Sequence, residues 1–215
     1  MKKLLEFEKK MGNLIGLEFN YSSEGKFCIP ADDDADNKFT KMDFVLTAWK
    51  EDETHSTAEK VTLGHINVLR IPSDMEKRIN HGDDYDISEA MRSSSLGDLF
   101  TVAESLRIGQ MLDFTDETKP IDVFDALIFS DLFYITELFV EKEYRNKGLG
   151  SAILEALPEL ITYYCGGEDV LIALTMVAID LEEGENQEEA YNRLEKFYSE
   201  NGYKILENNV CAKRI

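Results

Sequence analysis

The chain has 215 residues, 43% of them hydrophobic and 31% charged, a balance that supports a packed core and excludes wholesale disorder. Its 43 acidic against 23 basic residues give a formal net charge of −20, which excludes general nucleic-acid binding and leaves a cationic partner or a merely solvated acidic surface. No apolar run approaches the roughly 20 residues that cross a bilayer, so no membrane partner is expected.

The opening "MKKLLEFEKKMG" is interrupted by Glu6 and Glu8, unlike a secretory signal, and residues 4–11 read as a short amphipathic helix. "LIGLEFNY" (14–21) has the β-compatible residues of a strand. In the acidic loop 30–38, Asp32, Asp33, Asp34 and Asp36 suggest a calcium loop, but a Gly at the sixth position and a Glu at the twelfth are missing. Strand-like runs follow at 42–50 and 60–71, joined by a polar stretch that suits a hairpin. Asp86 and Glu89 have capping-box spacing, and Leu96, Leu99, Phe100, Ala103 and Leu106 recur as one helical face. Residues 112–122 break that pattern.

"LFYITELFV" (132–140) reads as a mostly buried central strand. A helix over 151–164 follows, with Ile153, Leu154, Leu157, Leu160, Ile161 and Tyr164 on one face and Pro158 expected to kink or restart it. "DVLIALTMVAID" (169–180) is another buried strand, and 186–206 reads as a helix ended near Gly202 and then a strand. Cys28, Cys165 and Cys211 are odd in number and widely spaced, which indicates neither a disulfide framework nor a zinc site and fits a cytoplasmic location. His55, His65 and His81 have no ligand spacing and read as ordinary surface or strand residues; no metal is expected.

The junction "VEKEYRNKGLGSAIL" (140–154) sets Arg145, Lys147, Gly148 and Gly150 between a strand and a helix. A helix N-terminus presents main-chain amides without acceptors and a positive dipole end, which together attract an anion. Glycines let a bulky anion approach, and Arg145 and Lys147 can add charge-assisted contacts. The spacing is neither the dinucleotide nor the P-loop fingerprint.

With the strand before it, "RNKGLG" (145–150) resembles motif A of the GNAT superfamily, the GCN5-related N-acetyltransferases, whose pattern is Arg/Gln-x-x-Gly-x-Gly/Ala. "KFYSENGYKI" (196–205) is similar to the family's Phe-Tyr-x-x-x-Gly-Phe segment, with Tyr203 in place of the Phe. The family often carries an Asn seven residues before that Tyr; here the position is Tyr191, with Asn192 beside it.

The resemblance implies an α/β (α+β) GNAT fold. This is a central mixed, mostly antiparallel sheet with splayed fourth and fifth strands, flanked by helices, with a helical insertion (74–122) between the third and fourth strands. A single domain, 1–215, is expected, with its acetyl-CoA-binding core at 124–214. The insertion is expected to pack over the substrate side or to make a homodimer contact.

The resemblance also implies acetyl-CoA as co-substrate. Its pyrophosphate would sit on Arg145, Asn146, Lys147, Gly148, Leu149, Gly150 and Ser151, and its pantetheine arm would pair with main-chain groups of Leu138, Phe139 and Val140. Tyr198 matches the Tyr that protonates the leaving thiolate, although its spacing alone fits a core aromatic. Glu137, a strand carboxylate that could equally face solvent, is the candidate base; Asp180 and Glu182 are weaker candidates for holding a cationic amine.

The expected activity is transfer of acetyl to a primary amine of a cationic small molecule or peptide, by direct attack in a ternary complex. The alternatives are a catalytically silent acyl-CoA-binding regulatory or interaction protein, and an acidic mimic of nucleic acid.

Overall fold

The computed structural model describes residues 2–28, 38–51, 57–71, 101–102, 105, 111–112, 120–121, 131–166, 170–178 and 186–215. Helix α1 (Lys2–Met11) leads into strands β1 (Leu14–Cys28), β2 (Lys38–Glu51) and β3 (Ala58–Ile71). The short antiparallel pair β4 (Met111–Leu112) and β5 (Pro120–Ile121) precedes β6 (Asp131–Val140), a 3-10 turn at Lys142–Tyr144 and helix α2 (Leu149–Cys165). Then come β7 (Val170–Thr175), α3 (Gln187–Glu200), β8 (Lys204–Ile205), a 3-10 turn at Glu207–Asn209 and β9 (Val210–Arg214).

One sheet has the strand order β1-β2-β3-β6-β7-β9-β8. It is mixed: β6 and β7 are parallel, with α2 as the crossover that parallel pairing requires, whereas β9 is antiparallel to both β7 and β8. The parallel register covers Asp131↔Val170 to Tyr134↔Ala173 and stops there. The predicted α/β class with a mixed, helix-flanked sheet is therefore the observed one.

Contacts divide the chain into two compact units, Met1–Glu24 with Lys41–Val68 and Thr136–Gly167, and Gly25–Thr40 with Leu69–Ile135 and Glu168–Ile215. In the first unit α1 buries Leu4 and Phe7, and Lys3 donates its main-chain N–H to Glu155 Oε2 of α2 at 2.7 Å. Met42, Phe44, Leu46, Leu63 and Ile66 are fully buried there, as are Ile153, Leu157 and Ile161 of α2. Helix α2 runs unbroken through Pro158, so the predicted restart does not occur. Packing along its apolar face carries the turn despite the lost hydrogen bond. Tyr164, predicted on the buried face, is 40% exposed and stacks on Tyr21 with ring centres 3.9 Å apart.

In the second unit, Leu132–Ile135 and Val170–Leu174 are buried, as expected of strands covered on both faces. Arg70 Nε donates to Asp131 Oδ2 at 2.7 Å, tying the end of β3 to the start of β6. Strand β7 ends at Thr175, earlier than the sequence suggests. Its partner β9 begins at Val210, and beyond the pair Thr175↔Val210 the Met176 N–H turns to Asn209 C=O at 2.8 Å.

Of the predicted helical insertion, residues 101–102 and 105 are helical; Val102 is fully buried and Ser105 Oγ donates to Glu207 C=O at 3.0 Å. The rest of that face, the Asp86–Glu89 cap, the acidic loop 30–38, His55, His81, Asp180 and Glu182 lie outside the described residues.

Helix α3 starts on a reciprocal cap. Glu189 N–H donates to Asn186 Oδ1 at 3.0 Å, and Asn186 N–H donates to Glu189 Oε2 at 3.0 Å. This supplies partners for amides the helix itself cannot satisfy. Asn186→Ala is expected to lower stability by about 1 kcal/mol, read as a reduced urea midpoint at unchanged slope.

Candidate functional site

The turn between β6 and α2 is built from both ends. Tyr144 is buried, edge-on to Phe7 of α1 with ring centres 6.4 Å apart. Burial first, and then the neighbouring Glu143 carboxylate, push its phenol well above the usual range. Glu143 in turn is held below the usual carboxylate range, chiefly by the Tyr144 hydroxyl and then by Lys50, whose Nζ lies 3.1 Å away.

Two residues of the turn are left-handed, Asn146 (φ 58°) and Gly148 (φ 92°). Asn tolerates that region, and Gly adopts it without steric cost. Gly148 is the N-cap of α2 and has no side chain to accept from the first amides. The first main-chain bond of the helix is Ala152 N–H to Gly148 C=O at 3.0 Å, so the amides of Leu149 and Gly150 point out of the helix without an intrahelical acceptor. A Cβ placed on Gly148 would meet nothing within 4 Å. Here glycine answers the backbone conformation, and open space lies beside the amides.

Arg145 behaves differently from its neighbours. Its Nε donates to Val140 C=O at 2.8 Å, and its guanidinium lies 5.4 Å from the centre of the Phe139 ring. That bond ties the turn to the strand end that precedes it.

Along β6 burial changes halfway. Leu132–Ile135 are buried, whereas Glu137, Leu138, Phe139 and Val140 are half-buried and Thr136 is exposed. The strand end is pinned to β3 by Glu141 N–H to Leu63 C=O at 2.9 Å and by Thr136 Oγ1 to Asn67 C=O at 3.2 Å. Between them lies Gly64, fully sheltered. A Cβ there would be driven into the Phe139 carbonyl oxygen and would press on Val140 Cα at 3.3 Å. Glycine at 64 is thus what allows β3 to approach residues 139–140.

On the half-buried face of these strands sits a polar cluster. Glu137 Oε2 accepts from Asn67 Nδ2 at 3.0 Å and lies 3.1 Å from His65 Nε2. The His65 ring stacks on Phe139 with centres 5.3 Å apart and planes 22° apart. The side chains of His65 and Glu137 are 30% and 38% exposed.

Tyr198 belongs to the second unit, on the inward face of α3, with its ring edge-on to Phe197 and Tyr203 at 5.0 and 5.8 Å. Burial, and then Cys211, raise the hydroxyls of Tyr198 and Tyr203 far above the usual phenol range, and burial alone raises the Cys211 thiol. Tyr191, where the family often has Asn, turns its hydroxyl inward. That oxygen, Thr175 Oγ1 at the end of β7 and Tyr203 Oη are buried with no hydrogen-bond partner among the described residues.

The predicted residues Glu137–Val140 and Arg145–Ser151 thus come together in the first unit, and Tyr198 is placed in the second. Gly64 and Asn67 were not singled out, and His65 was read as an ordinary surface or strand residue. The alternation in "GHIN", polar at 65 and 67 on one face of a predicted strand, was the available signal.

Among the described residues no cluster of His, Cys, Asp or Glu could hold a metal ion, and no helix is long and apolar enough to cross a membrane. Residues 99–205 match the sequence model of the acetyltransferase (GNAT) domain. That span contains the turn, β6, β7 and Tyr198, and reaches upstream into 74–122. No curated protein sequence matches the chain.

Gly64→Ala is expected to destabilise the fold by about 1–3 kcal/mol, seen as a lower melting temperature, because the clash is with main chain that cannot rotate away. A second expectation concerns alkali. The folded state holds the protons of Tyr198, Tyr203 and Cys211 more tightly than the unfolded chain does, whose thiol and phenols titrate at about 8.5 and about 10. Their contribution is intact below those values and is lost as pH rises past them, so stability should fall above about pH 9. Tyr203→Phe removes an orphaned hydroxyl and should leave stability at pH 7 equal or higher, with a shallower alkaline fall in urea titrations.

Proposed function

We propose that this chain, which belongs to the GNAT superfamily of acetyltransferases, transfers the acetyl group of acetyl-CoA to a primary amine of a cationic small molecule or peptide. Acetyl-CoA is the co-substrate of that family. The observation that carries the reading is the start of α2, where the amides of Leu149 and Gly150 lack acceptors beside the open space at Gly148. An anion with several oxygens, such as a pyrophosphate, is the ligand such a turn suits.

In this reading the amides of 145–151, with Asn146, Lys147 and Ser151 alongside, hold the diphosphate. Arg145 shapes the turn through Val140 and adds positive charge. The main chain of Leu138, Phe139 and Val140, beyond the last pair of the β6–β7 register, takes the pantetheine arm as an added strand. An N–H near Val140 then stabilises the oxyanion that forms on the thioester carbonyl. Tyr198 protonates the departing thiolate: its burial keeps the phenol protonated, the state a general acid needs. The proton lost by the amine goes to the polar group around Glu137. The charge of −20 favours a cationic acceptor by steering. The thiols of Cys165 and Cys211 suit the cytoplasm, and the protein acts as a monomer or homodimer without metal.

The test has two parts. Calorimetry should show uptake of acetyl-CoA, and thiol release should be seen with at least one amine from a panel of polyamines, aminoglycosides and basic peptides. Uptake without release from any amine would favour a silent acyl-CoA-binding protein; no uptake would remove the reading altogether. Tyr198→Phe should lower kcat by about 10²-fold at near-normal acetyl-CoA affinity, and an unchanged kcat would take Tyr198 out of the mechanism.

A further inference from the structure

The cluster on the β3–β6 face contains two groups that could take a proton, and their surroundings distinguish them. Glu137 Oε2 accepts from Asn67 Nδ2 at 3.0 Å and lies 3.1 Å from His65 Nε2, so both neighbours engage the same carboxylate oxygen. On the imidazole the contact occupies Nε2 and leaves Nδ1 as the ring nitrogen open to a proton.

We infer that His65, not Glu137, is the group that takes the proton of the acceptor amine, with Glu137 and Asn67 as positioning residues that set its tautomer. This rests on the acetyl-transfer reading above and assigns the base within it. Nδ1 of His65 has no partner among the described residues. The ring is held by its stack on Phe139, the middle residue of the strand end assigned to the pantetheine arm, which keeps the imidazole at that strand end.

In the step, the amine nitrogen bonds to the thioester carbonyl carbon and the carbon–sulfur bond breaks. One amine proton passes to His65 Nδ1, and the sulfur takes its proton from a hydroxyl donor. His65 then returns its proton to water. The products are an amide and a free thiol, with no other reactant.

His65→Asn tests the assignment without removing the donor to Glu137: its amide can still bond the carboxylate but offers no basic nitrogen. With acetyl-CoA and the fastest amine of the panel, kcat should fall by about 10²-fold while the Kd for acetyl-CoA stays within about twofold. In His65→Ala, added imidazole should restore part of kcat, which a merely structural ring would not allow; Glu137→Gln should show a smaller loss that imidazole does not repair. If His65→Asn keeps its kcat, or if imidazole leaves His65→Ala unchanged, the inference is overturned while the acetyltransferase reading stands. If the wild-type chain neither takes up acetyl-CoA nor releases thiol, the failure lies in that earlier reading.

Discussion

An α-helix that begins directly after a strand has amides in its first turn that the helix cannot satisfy, and the functional reading of this protein depends on that deficit. α3 meets the same problem with a side chain, through Asn186 and Glu189. α2 does not: its N-cap is Gly148, which has nothing to offer, and its first turn carries no acidic residue. Two helices of one chain, one capped and one left uncapped, show that the open end is a property of this particular junction. The left-handed pair Asn146 and Gly148 makes the turn short enough for the helix to start at once, and Tyr144 packed against Phe7 holds it in place.

The strand before the turn is under a second constraint. Its first half is buried among apolar neighbours, and its second half is half-buried and gripped by β3 through Leu63, Asn67 and the narrow approach at Gly64. Arg145 completes the grip by bonding back to Val140. On the proposed reading this main-chain edge takes another molecule, and an edge already held by β3 and Arg145 loses less freedom on binding.

Much of this was legible in the sequence because its signals are local. The strands, α2 and α3 follow from apolar runs and periodicity, and "RNKGLG" states the turn almost residue by residue. What could not be read depends on partners distant in sequence. Nothing near residue 64 says that it faces residues 139–140. Likewise His65 has no metal spacing because its partner, Glu137, is 72 positions away on a neighbouring strand. The end of β7 was misplaced for the same reason: "LTMVAID" has strand composition throughout, but β9 offers partners only as far as Val210. At Pro158 the expected restart is absent, since a local penalty was overruled by the packing of the whole helix.

Amide formation from a thioester needs one group that keeps its proton until sulfur departs and another that lacks one when the amine attacks. Environment can separate those roles more firmly than residue type does. The phenol of Tyr198 lies beside Phe197 and Tyr203, where burial and then Cys211 disfavour the phenolate and keep the proton on oxygen. The His65–Glu137 pair is part-exposed, with the imidazole Nε2 3.1 Å from the carboxylate, and on the reading proposed above it accepts the proton and later releases it to water. On the proposed reading a chain with only the first of these would retain a thioester without consuming it, and the second is what transfer to an amine adds.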